Sequence, residues 1–189
     1  QNKRTFVVLV ALAAAALSLA TLTFTNVTYW LINATMPPVM KYAGPDAEAA
    51  ATSPYVKVGY YYESSSGYNV TRISVIGFTG DLTTYGKVLR VCNTYGTTTF
   101  TASLNYVGIV SGPYNNYVKV FKVYWSDDPG QWVGFEGGST QAGPVSIQIA
   151  PGQCATAGVA VLVDPSLPAE ARDGKTVLAT YQVNIVMQS

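Results

Sequence analysis

The sequence predicts an all-β fold, a single β-sandwich of jelly-roll or immunoglobulin-like type with a hydrophobic N-terminal extension. Three observations lead there. Tyr, Thr, Val and Gly dominate a chain that is 49% hydrophobic and only 11% charged, and these residues suit pleated, half-buried surfaces and tight turns. Beyond residue 54, apolar and polar residues alternate in short runs, the period of a strand with one greasy face. Clusters of Gly, Pro, Asn, Asp and Ser interrupt these runs roughly every 8–12 residues, the spacing of a sandwich. No helical period longer than a turn or two follows residue 40.

The first stretch reads in two halves. Phe6 to Ala20 is an unbroken apolar run preceded by Lys3 and Arg4 and ending in Ser18-Leu19-Ala20. A charged start, an apolar centre and a small-x-small end resemble a secretory signal. Removed, it would leave a mature chain starting near Thr21. Retained, it would be a membrane anchor or the helix of a filament core. Either way residues 5–20 would meet the membrane before or during export. From Thr21 to Met36 the pattern alternates, with Leu22, Phe24, Trp30, Ile32, Ala34 and Met36 on one face and Thr21, Thr23, Thr25, Asn33 and Thr35 on the other. Pro37 and Pro38 stop it, because neither can donate to a ladder. Such a strand either opens its own domain or completes another subunit. Residues 1–20 are therefore read as signal or anchor, 21–53 as strand and linker with one helical turn, and 54–189 as the sandwich.

Within 54–189 the expected strands are Tyr55–Tyr62, Tyr68–Phe78, Tyr85–Thr94, Thr98–Val107, Tyr117–Trp125, Trp132–Phe135, Val145–Ile149, Gln153–Val163 and Thr176–Met187. Thr98–Val107 places Phe100, Ala102, Leu104 and Tyr106 on one face, and the last strand is the most regular. Asp127-Asp128-Pro129-Gly130 and Pro151-Gly152 are strong turn signals. A helical turn is expected at Pro168–Arg172.

Composition also excludes functions. A net charge of +1 leaves no basic patch to neutralise several phosphates, so nucleic acid is not an expected partner. With no His, neither Ser-His-Asp nor Cys-His catalysis is available. Two cysteines cannot make a Cys₄ zinc site. Asp127-Asp128 suits either a calcium ion or, more simply, a turn in which Asp bonds its own backbone. Glu63 and Glu136 have no context that marks them as paired carboxylates. Tyr60-Tyr61-Tyr62 is either a sugar-stacking or subunit-packing surface, or an alternation of core and surface tyrosines. No enzyme activity, metal or cofactor is expected.

Cys92 and Cys154 lie in strand-like contexts of a chain read as exported and are expected to be joined as a disulfide, two buried thiols being the alternative. Sequons occur at Asn26, Asn33 and Asn69. Asn33 and Asn69 are the better glycosylation candidates, because Asn26 shares the face of Leu22, Phe24 and Trp30.

Leu22-Thr23-Phe24-Thr25, Asn33 to Val39, and Gly86-Lys87-Val88-Leu89-Arg90-Val91-Cys92-Asn93-Thr94-Tyr95-Gly96 together resemble TasA-like biofilm-matrix proteins. Within that set they are most similar to the archaeal bundling-pilus and thread subunits. The resemblance implies a jelly-roll subunit whose N-terminal strand fills an open groove in the next subunit. Leu22, Phe24, Trp30, Ile32, Ala34 and Met36 would be the inserted side chains. It further implies an extracellular or cell-surface homopolymer whose only required partner is itself, with lateral bundling of the filaments as an added option. A type IV-like pilin with a retained N-terminal helix, and a membrane-anchored cell-envelope domain, are the alternatives. Against the pilin, Thr21–Thr35 is rich in poor helix formers.

Overall fold

The structure, a computed structural model, describes residues 25, 27–48 and 55–189. The proposed signal or anchor segment 1–20, together with Leu22, Phe24 and Asn26, lies outside the described residues. The chain divides into two units, Gln1–Thr35 and Met36–Ser189. In the first, residues 27–35 carry neither helix nor strand.

The second unit is an all-β sandwich. Its described strands are β1 (Met40–Ala43), β2 (Val56–Glu63), β3 (Tyr68–Val75), β4 (Thr83–Cys92), β5 (Phe100–Ser111), β6 (Val118–Trp125), β7 (Trp132–Glu136), β8 (Ser139–Gln141), β9 (Val145–Ile149), β10 (Cys154–Val163) and β11 (Thr180–Gln188). A single-turn helix, α1 (Pro45–Glu48), and 3-10 turns at Asn115–Tyr117 and Ala169–Ala171 complete the described elements. One layer is a six-stranded sheet in the order β1-β4-β10-β6-β7-β8. Facing it are a three-stranded sheet, β11-β5-β9, and the β2–β3 hairpin.

β10 is the spine of the large sheet, and its sequence CATAGVAVLV explains why. Buried between β4 and β6, it reads as a nearly continuous apolar run instead of a clean alternation. Ala155, Ala157, Val159 and Val161 point inward at alternate positions. On the outward side Gly158 leaves room for the Tyr124 ring, which a Cβ there would meet at 2.7 Å. The inward residues serve two adjoining clusters. Ala155 and Ala157, with Leu89, Val91, Trp125 and Val133, pack against Ala102, Leu104 and Ile149. Val159, Val161 and Val163, with Val88, pack against Val56, Leu167 and Ala171.

β1 corrects the sequence reading. Met40–Ala43 falls in the stretch 21–53 read as strand and linker, yet it pairs with β4 from Met40↔Cys92 to Ala43↔Leu89. Four residues are too few to show a period, so no local signal marked them as a strand. β8, three polar residues, is also additional. Cys92 closes β4 and Cys154 opens β10 directly opposite it; the two are joined as a disulfide, and neither is a free thiol.

Candidate functional site

The layer opposite the six-stranded sheet is broken. No ladder joins the β2–β3 hairpin to the three-stranded sheet. β11 pairs with β5 from Thr180↔Ser111 to Gln188↔Thr101, and its other edge has no ladder partner among the described residues. This edge position shows in burial. On β5, flanked on both sides, the inward Ala102 and Leu104 are 0% and 1% exposed. On β11, flanked on one side, the inward Tyr181, Val183, Ile185 and Met187 are only half-buried.

The hairpin shows the same incompleteness. Its pairs Val56↔Val75, Val58↔Ile73, Tyr60↔Thr71 and Tyr62↔Asn69 put these residues on one face. Cover falls away along that face, from Val56 at 2% exposed through half-buried Val58 to Tyr60 at 56% and Tyr62 at 68%. Both pieces thus leave apolar faces partly covered, one along β11 and one along the outer half of the hairpin.

An aromatic cluster lies beneath the first half of β11. Tyr181 stacks on Phe121 at 4.7 Å between ring centroids, meets Phe135 edge-on at 5.2 Å, and has Tyr106 at 6.3 Å. Burial, reinforced by the neighbouring Tyr106, pushes the Tyr181 phenol up to about 12. Burial raises Tyr106 as well. These hydroxyls therefore stay protonated at physiological pH, and the cluster is an uncharged packing unit.

The described residues read as inserted side chains, in the N-terminal unit and at Met36 where the second unit begins, are exposed. Trp30 is 86% exposed and Ile32 92%, and Ala34 and Met36 are exposed too. Val27, Tyr29 and Leu31, outside the expected face, are equally uncovered. Asn33 is exposed, as is Asn69 on β3.

Among the other candidates, the backbone carbonyl of Asp128, not its carboxylate, accepts from the Gln131 N–H in the β6–β7 turn. Glu136 receives the Lys122 ammonium at 2.9 and 3.0 Å, and Glu63 accepts from the Ser66 hydroxyl at 2.7 Å. Tyr61 lies under the Arg72 guanidinium, 5.0 Å from the ring centroid.

One buried polar residue, which the sequence places at the end of the expected strand Tyr85–Thr94, lies just beyond β4. Asn93, fully buried, donates through Nδ2 to the carbonyls of Thr98 and Ile149 at 2.8 and 3.0 Å. Its backbone N–H donates to Gln153 and its carbonyl accepts from Gly152. A Cβ at Gly96 would collide with its Oδ1. The spacing of Asn93 and Gly96 in the sequence is the local trace of this contact.

No protein-family model matches the chain, and no curated protein matches it.

Proposed function

We propose that this chain is the structural subunit of an extracellular filament, a pilus or biofilm-matrix fibre, assembled head to tail by donor-strand complementation. The unpaired edge of β11 carries the reading. It presents a nine-residue strand edge beside half-buried Val183, Ile185 and Met187. The same chain carries a run of exposed apolar residues from Val27 to Met36, which offers a complementary strand to the next copy.

The physics is strand addition. Backbone bonds along the open edge set the register, and alternate side chains pack beside it. Trp30, Ile32 and Met36 are each worth about 1.5–3 kcal/mol when buried, before the ordering costs of association. A contact between one copy's segment and another copy's β11 edge does not close, so it propagates as a fibre. Pairing that edge also removes a template that would otherwise invite irregular aggregation. The similarity of the N-terminal motifs to donor-strand subunits supports the reading, and the disulfide suits an oxidising, extracellular setting.

The test is deletion of residues 21–36. The expected product is a soluble domain that forms no filaments under electron microscopy. A synthetic peptide of residues 21–36 should bind it and raise its melting temperature in proportion to the logarithm of peptide concentration. Filaments from the truncated chain would overturn the proposal, as would a folded truncated domain indifferent to the peptide.

A further inference from the structure

The outer half of the β2–β3 hairpin is exposed on both faces from Tyr60 to Asn69. An isolated two-stranded ladder is marginal in water, so this half needs cover that the described chain does not supply. Its two faces differ in chemistry. One carries Lys57, Tyr61, Glu63 and Arg72, with the guanidinium of Arg72 stacked on Tyr61. The other has no charged side chain of its own, with Tyr60, Tyr62 and Ile73 exposed beside Asn69 and Thr71, although the Tyr60 hydroxyl reaches the Ala43 backbone near Arg90 and Glu48.

Asn69-Val70-Thr71 is a sequon lying in this ladder. The register puts Asn69 directly opposite Tyr62, and Thr71 directly opposite Tyr60. Opposed residues on one face bring their Cβ atoms to about 4.5–5.5 Å. A group attached to the Asn69 amide nitrogen thus extends beside the Tyr62 ring, with Tyr60 one pair further along.

We propose that Asn69 carries an N-linked glycan whose first pyranose packs its C–H face on Tyr62. The sugar covers the Tyr62 ring and leaves its hydroxyls in water, which matches an aromatic surface that solvent now meets. The covalent step takes a lipid-phosphate-linked saccharide as donor. The Asn69 amide nitrogen attacks its anomeric carbon, forming the C–N bond. The bond from that carbon to the phosphate oxygen breaks, and the lipid phosphate leaves with the bonding pair. One amide proton goes to a base of the transferase, and nothing is oxidised or reduced. Transfer precedes closure of the ladder, because a zipped strand cannot wrap its sequon into the transferase. Occupancy at Asn69 does not depend on filament assembly.

Glycopeptide mass spectrometry on the full chain isolated from the cells that make it tests the modification. The peptide containing Asn69 is expected to carry saccharide mass on that residue. An unmodified Asn69 peptide overturns the proposal. Stacking is tested by a double-mutant cycle of Asn69→Gln and Tyr62→Ala, made in the same cells. Tyr62→Ala is expected to lower the melting temperature by about 2 °C or more in the glycosylated chain, and by clearly less in the Asn69→Gln background. Equal losses in both backgrounds overturn the contact between sugar and ring.

Discussion

Asn93 ties the end of β4, the turn after it, the end of β9 and the Pro151-Gly152 turn into one buried knot. Removing its amide leaves two carbonyls without their donor in a site closed to water. Asn93→Ala is therefore expected to cost about 2–4 kcal/mol, read as a lower urea midpoint at unchanged slope. Trp125 is a second anchor, 2% exposed, with its indole N–H donating to the Val145 carbonyl at 3.0 Å. Its truncation to Ala should cost about 3–5 kcal/mol. Tyr181 sets an alkaline limit. Its ordinary value is 10.0, and its folded value is about 12. Between these the unfolded chain has released this proton and the folded chain has kept it, so stability falls as pH rises from about 10 towards 12. Tyr181→Phe should flatten that decline. Parallel stability curves for the two proteins across this window would show that another group is responsible.

At the scale of elements, the large sheet depends on β10, which couples β4 to β6 and is stapled to β4 by Cys92–Cys154. Titration of the unfolded, unreduced protein should find no free thiol, and about two per chain would refute the bond. The cross-link spans a sequence separation of 62 residues, so its reduction should lower stability by about 4 kcal/mol in the chain-entropy model. Denaturant unfolding with and without reductant measures this. The edges of the large sheet are blunted differently. β8 is short and polar. β1 is only four residues long and is followed directly by α1, whose Glu48 pairs with Arg90 of β4. β11 is longer, nine residues, with two register shifts against β5 near its start, and its inward residues are only partly covered. In the proposed filament, β11 is the edge that takes the incoming strand.

At the scale of the whole molecule, Trp30 offers the sharpest test of assembly. Trp30→Asp places a charge where the proposed interface accepts an indole, and should abolish filaments while leaving expression and the fold of residues 36–189 intact. Circular dichroism and electron microscopy on the same preparation check both halves of that expectation. Normal filaments from Trp30→Asp would rule out Trp30 as an inserted side chain. The sequence by itself determined the all-β class and most strand positions, because alternation and turn residues act over a few positions. Thr98–Val107 and Val145–Ile149 were legible for that reason, and so was the inward set Phe100, Ala102, Leu104 and Tyr106. The pairing of Cys92 with Cys154 was legible as the expected disulfide, because these are the chain's two cysteines and both fall in strands. Only the tertiary structure decided the rest. β1 became a strand through β4, a partner nearly fifty residues away, and the role of Asn93 appeared only when four segments met around it. The open edge of β11 was invisible in the chain for the same reason. An unpaired edge is a property of where other strands go, and strand partners are chosen by burial across the whole domain, not by the local pattern of any one strand.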